Sequence, residues 1–155
     1  MLTMNVDLLP IINNQNEKVS FEGVLAFQYD GAEIETEVNG YVINFAGSLE
    51  VYGTVCAKIT APCARCLEDT NSTIDVEIKE TVGKDEVELE GTILNIDDIV
   101  FGNVLINMPS RFLCSEDCLG LCSKCGSNLN INQCQCEPDD IIDERFLKPK
   151  YPKKK

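Results

Sequence analysis

Six cysteines, Cys114, Cys118, Cys122, Cys125, Cys134 and Cys136, crowd the stretch between positions 114 and 136, and Cys63 and Cys66 form a separate CxxC pair. A segment so rich in thiols, Gly, Asn and Ser cannot build an apolar core, so something other than burial must hold it in place. The nine cysteines are about 6% of the chain, below the ~8–10% of a small secreted disulfide scaffold. The N-terminal MLTMNVDLLP has no basic n-region and meets Asp7 early, so no secretory signal is expected. No run approaches ~18 apolar residues, so a transmembrane helix is not expected either. The expected compartment is the reducing cytoplasm, where thiols read as metal ligands or redox groups rather than disulfides. The chain has no His. That excludes imidazole catalysis, Ser-His-Asp and Cys-His mechanisms and mixed Cys/His zinc fingers.

Spacing sharpens the metal reading. In Cys122-Ser123-Lys124-Cys125-Gly126 two intervening residues let both sulfurs reach one tetrahedral ion, and Gly126 lets backbone N–H groups approach them. Cys134 and Cys136 follow as a second pair, making Cys122, Cys125, Cys134 and Cys136 a compact four-thiolate site. Cys63 and Cys66 form the other knuckle, with Cys114 and Cys118 as natural partners, closing a loop of roughly fifty residues. Interleaved pairings, such as Cys63 and Cys66 with Cys122 and Cys125, satisfy the spacings as well. Cys56 is left over. The expected cofactor is two Zn²⁺ ions in all-Cys sites, since the spacing matches no common ferredoxin run. Four protein thiolates leave no open coordination position, so metal catalysis is not expected. Such a site is worth about 10–16 kcal/mol in peptides, against about 5–15 kcal/mol for a whole domain, so metal can decide whether residues 114–136 fold.

The remainder predicts an α+β fold, an antiparallel β-rich domain with one main helix. Val51, Val55, Ala57 and Ile59 alternate with Tyr52, Thr54, Cys56 and Lys58, and Ile74, Val76 and Ile78 alternate with Asp75 and Glu77. These period-two stripes predict paired strands with Cys63 and Cys66 at the hairpin tip. Asp30-Gly31 and, more strongly, Asn39-Gly40 are turn signals. Ile96, Ile99, Val100 and Val104 recur at helical spacing, with Asp97 or Asp98 as cap and Met108-Pro109 as the stop. A further helical turn or two is expected over 141–147. The domain reading is 1–110 for the β-rich unit and following helix, 111–147 for the Cys-rich zinc-binding segment, and 148–155 for a basic tail.

Charge is equally uneven. Residues 1–144 hold all 26 acids and seven of the 13 bases, a net of −19, while 145–155 hold six bases and no acid. An acidic body suits a basic protein partner, and a basic tail suits a phosphate backbone. Candidate nucleic-acid contacts are Lys148, Lys150, Lys153, Lys154 and Lys155, with Arg65 and Lys124 inside the two CxxC turns. For Arg65 and Lys124, neutralising their own metal sites is the stronger reading than direct RNA contact. The six Phe and four Tyr are scattered, without the clustering of an RNA-stacking platform.

Cys63-Ala64-Arg65-Cys66-Leu67-Glu68, Leu113-Cys114, the run Cys118–Asn130 and Cys134-Gln135-Cys136-Glu137 together resemble the YceD family. The resemblance covers about residues 18–147 and places the fuller Cys set in the family's Gram-positive-type branch. The family's terminal helix, after an Ile-Asp-x-Arg turn, is here cut short by Pro149 and Pro152. The resemblance implies a cytoplasmic, non-enzymatic factor in ribosome biogenesis that supports accumulation or processing of large-subunit ribosomal RNA. Its implied partners are ribosomal RNA or a large-subunit precursor, or a basic ribosomal protein, with no membrane and no small-molecule substrate. The alternative from the residues alone is a zinc-thiolate redox or metal sensor.

Overall fold

The computed structural model describes residues 3–12, 14, 17–82, 87–88 and 92–136. Strand β1 (Asn5–Asp7) leads into a single helical turn, α1 (Leu9–Ile12). Four long strands follow as an antiparallel meander: β2 (Lys18–Tyr29), β3 (Ala32–Phe45), β4 (Ser48–Pro62) and β5 (Asp69–Val82). Short β6 (Val87–Glu88) and β7 (Ile93–Asn95) join β1 in a second antiparallel sheet of order β1-β7-β6, and helix α2 (Ile96–Asn107) comes next. The antiparallel α+β architecture matches the expectation.

Alternation in the sequence becomes the two faces of the meander. Ile34, Val38, Val42, Val51, Val55, Ile59, Val76 and Ile78 are buried on one face, and α2 covers it with Ile96, Ile99, Val100 and Val104. Each such side chain contributes about 1.5–3 kcal/mol on burial. The other face carries Glu33, Glu35, Glu37, Thr54, Lys58 and Glu77 and is exposed. Two buried polar groups are fully used. Thr36 Oγ1 donates to Leu25 O at 3.1 Å, and Asn44 Nδ2 donates to the α1 carbonyls of Ile11 and Ile12 at 2.8 and 3.1 Å. Asn44 therefore fastens α1 to the sheet by satisfying the end of its only turn.

Two expectations need correction. The turn at Asp30-Gly31 is present, with both residues left-handed, but Asn39-Gly40 lies inside β3 and makes no turn. The second hairpin turns instead at Ala46-Gly47, φ 53° and 90°, where Asn44 Oδ1 accepts from the Gly47 N–H at 3.1 Å. Gly40 serves close approach: a Cβ there would strike Tyr52 O and come within 2.8 Å of Gly53 Cα, beneath the Phe21 ring. The cap of α2 is Asn95, whose side chain accepts from the Asp97 N–H at 2.8 Å, while Asp97 accepts from the Met4 N–H at 2.9 Å. The N-terminal segment is strand over Asn5–Asp7 before α1. Met108 ends α2 as expected. The turns expected over 141–147 lie outside the described residues, as does the basic tail.

Candidate metal centre

The β4–β5 hairpin ends in a knuckle that the Cys-rich segment repeats. Cys63 N–H donates to Glu68 O at 2.8 Å, and Leu67 N–H donates to Cys63 O at 2.9 Å. Fifty-nine positions on, Cys122 N–H donates to Ser127 O at 2.9 Å, and Gly126 N–H to Cys122 O at 2.9 Å. The fifth residue of each knuckle is left-handed: Leu67 at φ 62° and Gly126 at φ 72°. Gly126 takes that conformation freely, whereas Leu67 holds it at a cost of about 1–2 kcal/mol.

These turns bring the sulfurs together in two groups. The Sγ atoms of Cys63, Cys66, Cys114 and Cys118 all lie within 4.8 Å of one another, and so do those of Cys122, Cys125, Cys134 and Cys136. Within the first group, Cys63 and Cys118 are 3.9 Å apart and Cys66 and Cys114 are 3.6 Å apart. A tetrahedral ion with bonds of about 2.3 Å to sulfur sets its ligands about 3.8 Å apart, so the spacing fits. Of the pairings the spacings allowed, this geometry favours Cys63 and Cys66 with Cys114 and Cys118. Cys56 lies on the exposed sheet face, opposite Glu37 and Asp75 in the strand register.

The electrostatics point the same way. Backbone N–H groups of Arg65, Cys66 and Cys114 hold the Cys63 thiol down at about 6. The Ser127 hydroxyl and backbone N–H lower Cys125 to about 6. In compensation, Cys114 is pushed up to about 12 by its hydrogen bonds with Cys118 and Cys66, and Cys136 to about 12 by its hydrogen bonds with Cys125 and Cys134. Four sulfurs this close cannot all ionise without a cation, and a divalent ion removes the conflict as it displaces the protons.

The two groups differ in cover. Cys63, Cys66 and Cys118 are buried and only Cys114 is exposed, whereas Cys125 and Cys136 are exposed and Cys122 and Cys134 half-buried. Between them runs a ladder of short contacts. Arg65 Nη1 donates to the carbonyls of Glu116 and Cys118, each at 2.9 Å, and Arg65 O accepts from the Leu121 N–H at 3.0 Å. Asn130 Nδ2 donates to Cys118 Sγ at 3.3 Å, and Asn130 Oδ1 accepts from the Leu119 N–H at 2.8 Å. Asn130 carries no signal in its spacing that would have singled it out.

Of the suggested nucleic-acid contacts, Arg65 is thus engaged with the Cys-rich backbone, Lys124 sits inside the second knuckle, and Lys148–Lys155 lie outside the described residues. The aromatic residues are less scattered than the sequence suggested. Tyr41 and Tyr52 stack at 5.5 Å across β3 and β4, with Lys18 Nζ 5.0 Å from the Tyr41 ring and Lys79 Nζ 5.8 Å from the Tyr52 ring. Among the described residues, no helix is long and apolar enough to cross a membrane.

A family model described as large ribosomal RNA subunit accumulation protein YceD matches residues 51–148. The match begins at Val51, later than the 18–147 over which the resemblance was drawn. An uncharacterized protein of Mycobacterium leprae is 31% identical over 111 residues, 63% of this chain and 50% of that protein. Uncharacterized proteins of Mycobacterium bovis and Mycobacterium tuberculosis are each 30% identical over 88 residues, 49% of this chain and 42% of theirs. The chain therefore spans about half the length, or less, of the curated relatives it matches. No solved structure matches it. The matched residues run from β4 through the CxxC hairpin, α2 and both four-sulfur groups, and on that ground the chain belongs to the YceD family.

Proposed function

We propose that this protein is a non-enzymatic ribosome-assembly factor that supports accumulation or processing of large-subunit ribosomal RNA. Its two four-sulfur groups each hold a structural Zn²⁺, through Cys63, Cys66, Cys114 and Cys118 and through Cys122, Cys125, Cys134 and Cys136. The observation that carries the reading is the pair of closed groups within a family described by ribosomal RNA accumulation. With four protein sulfurs on each ion, zinc keeps no position for water or substrate and supplies cross-linking rather than chemistry. Arg65, Asn130 and the knuckle amides orient the sulfurs. The acidic sheet face suits a basic large-subunit protein, and Lys148–Lys155 suit ribosomal RNA.

The test is binding of the full chain to large-subunit precursor RNA and to basic large-subunit proteins over a salt series. If the tail makes the phosphate contacts, deleting residues 148–155 flattens the log–log salt slope by roughly 2–4 while zinc content is unchanged. Protein binding survives the deletion. A chain that binds neither RNA nor any ribosomal protein rejects the reading. The exposure of Cys125 and Cys136 favours a second reading, a redox sensor, whose mark is reversible zinc release from that group at low peroxide.

A further inference from the structure

The two edges of the meander are unlike. β5 carries Asp75, Glu77, Lys79 and Glu80, charges of the kind that keep an exposed edge from pairing further. β2 carries no charge from Val24 to Gln28, and among the described residues no strand pairs with its outer side. Val24 is 66% exposed. Beside this stretch, between β2 and the first half of α2, lies a groove of about 710 Å³. Its floor is apolar, where Phe27 and Phe101 meet edge to face at 4.9 Å, and Asp97 and Asp98 line its helix side.

We propose that the Val24–Gln28 edge of β2 is a docking site for an extended basic protein segment, which adds to the meander as a fifth strand. Strand addition places alternate side chains of the incoming segment on opposite faces. One set enters the groove, where apolar groups meet Phe27 and Phe101 and a basic group meets Asp98. The other set lies on the exposed face. There the register puts Glu37 beside Val24, Glu35 beside Ala26 and Glu33 beside Gln28, so a glutamate stands behind each small or neutral residue of the edge. A lysine or arginine on the incoming strand crosses the short Ala26 side chain toward Glu35. The same carboxylates repel a phosphate backbone, which sets a basic protein segment above RNA as the occupant. The inference rests on the assembly-factor reading only for the source of the segment, a basic protein of the large subunit.

The experiment uses the full, metal-loaded chain and a labelled peptide with lysine at every second position and valine between, one valine replaced by lysine to meet Asp98, with a glutamate–valine peptide and oligo-uridine RNA as comparison probes. The lysine peptide is expected to bind and to slow amide exchange over residues 18–29. Val24→Lys and Asp98→Lys should each weaken it about fivefold or more, and Glu77→Lys, the same charge change as Asp98→Lys but on the opposite edge, less than about twofold. Where Val24→Lys lowers the melting temperature, Gln28→Lys replaces it. Absence of protection over 18–29, equal weakening by Glu77→Lys, or oligo-uridine protecting the same amides overturns the proposal. Unchanged co-sedimentation of Val24→Lys with large-subunit particles, alongside a peptide that fails to protect β2, overturns the edge alone and leaves the assembly reading standing.

Discussion

The guanidinium of Arg65 donates to the carbonyl oxygen of Cys118 at 2.9 Å, tying the tip of one hairpin to a ligand candidate 53 positions away. The same nitrogen reaches Glu116 O, so one exposed cation neutralises two backbone dipoles beside the first four-sulfur group. Arg65→Ala should loosen residues 114–121 to protease and destabilise the docked segment by about 1–2 kcal/mol, the range for partly exposed bonds to a charged group. Arg65→Lys keeps the charge but loses the planar fork and should fall between the two. Limited proteolysis of the three proteins at equal zinc content checks this.

Metal content divides the cysteines. The wild-type chain should hold two zinc ions by elemental analysis, Cys66→Ser and Cys125→Ser about one each, and Cys56→Ser the full two. Equal loss in Cys56→Ser and Cys125→Ser would show the partition to be wrong.

The two knuckles invite reciprocal substitutions. Gly126→Ala places a Cβ in a left-handed position and should lower the stability of its knuckle by about 1 kcal/mol. Leu67→Gly, at an exposed site, relieves the same strain and should raise thermal stability slightly, with zinc content unchanged in both. Melting curves of the metal-loaded variants decide it.

Cys56 gives a pH-dependent readout away from the metal groups. Its hydrogen bond with Asp75, then burial, then the charges of Asp75 and Glu37 raise its pKa above the ordinary 9.0. A raised folded-state value means that its contribution is complete below 9.0 and is lost as pH rises through the folded value. Alkylation of metal-loaded protein should therefore be slow at neutral pH and accelerate at a higher pH than for a free thiol, since the thiolate is the nucleophile. Asp75→Asn should shift that profile downward.

Much of this was legible in residue order because period-two burial and CxxC spacing are local signals. Val51 through Ile59 and the two knuckles follow from them directly. The misplaced turn shows where local reading fails. Asn39-Gly40 has the best turn chemistry in the region, yet Gly40 is needed where two backbones and the Phe21 ring converge, a demand visible only across strands. That error also concealed the Tyr41–Tyr52 stack, because the pairing follows from the Ala46-Gly47 turn that brings 41 opposite 52. The Arg65 clamp and Asn130 escaped for the same reason. Their partners lie in a segment that has no regular structure from which to count.

The first four-sulfur group draws two ligands from the β4–β5 tip and two from residues about fifty positions later, with Cys66 and Cys114 48 apart and Cys63 and Cys118 55 apart. During synthesis the tip emerges first and offers only two thiols, too few to retain an ion against cellular chelators. A four-sulfur site can close only once Cys114 and Cys118 have joined the pair at the hairpin tip. On the proposed zinc reading the site would thus test the chain that builds it: a product truncated before Cys118 would leave it with two of its four ligands.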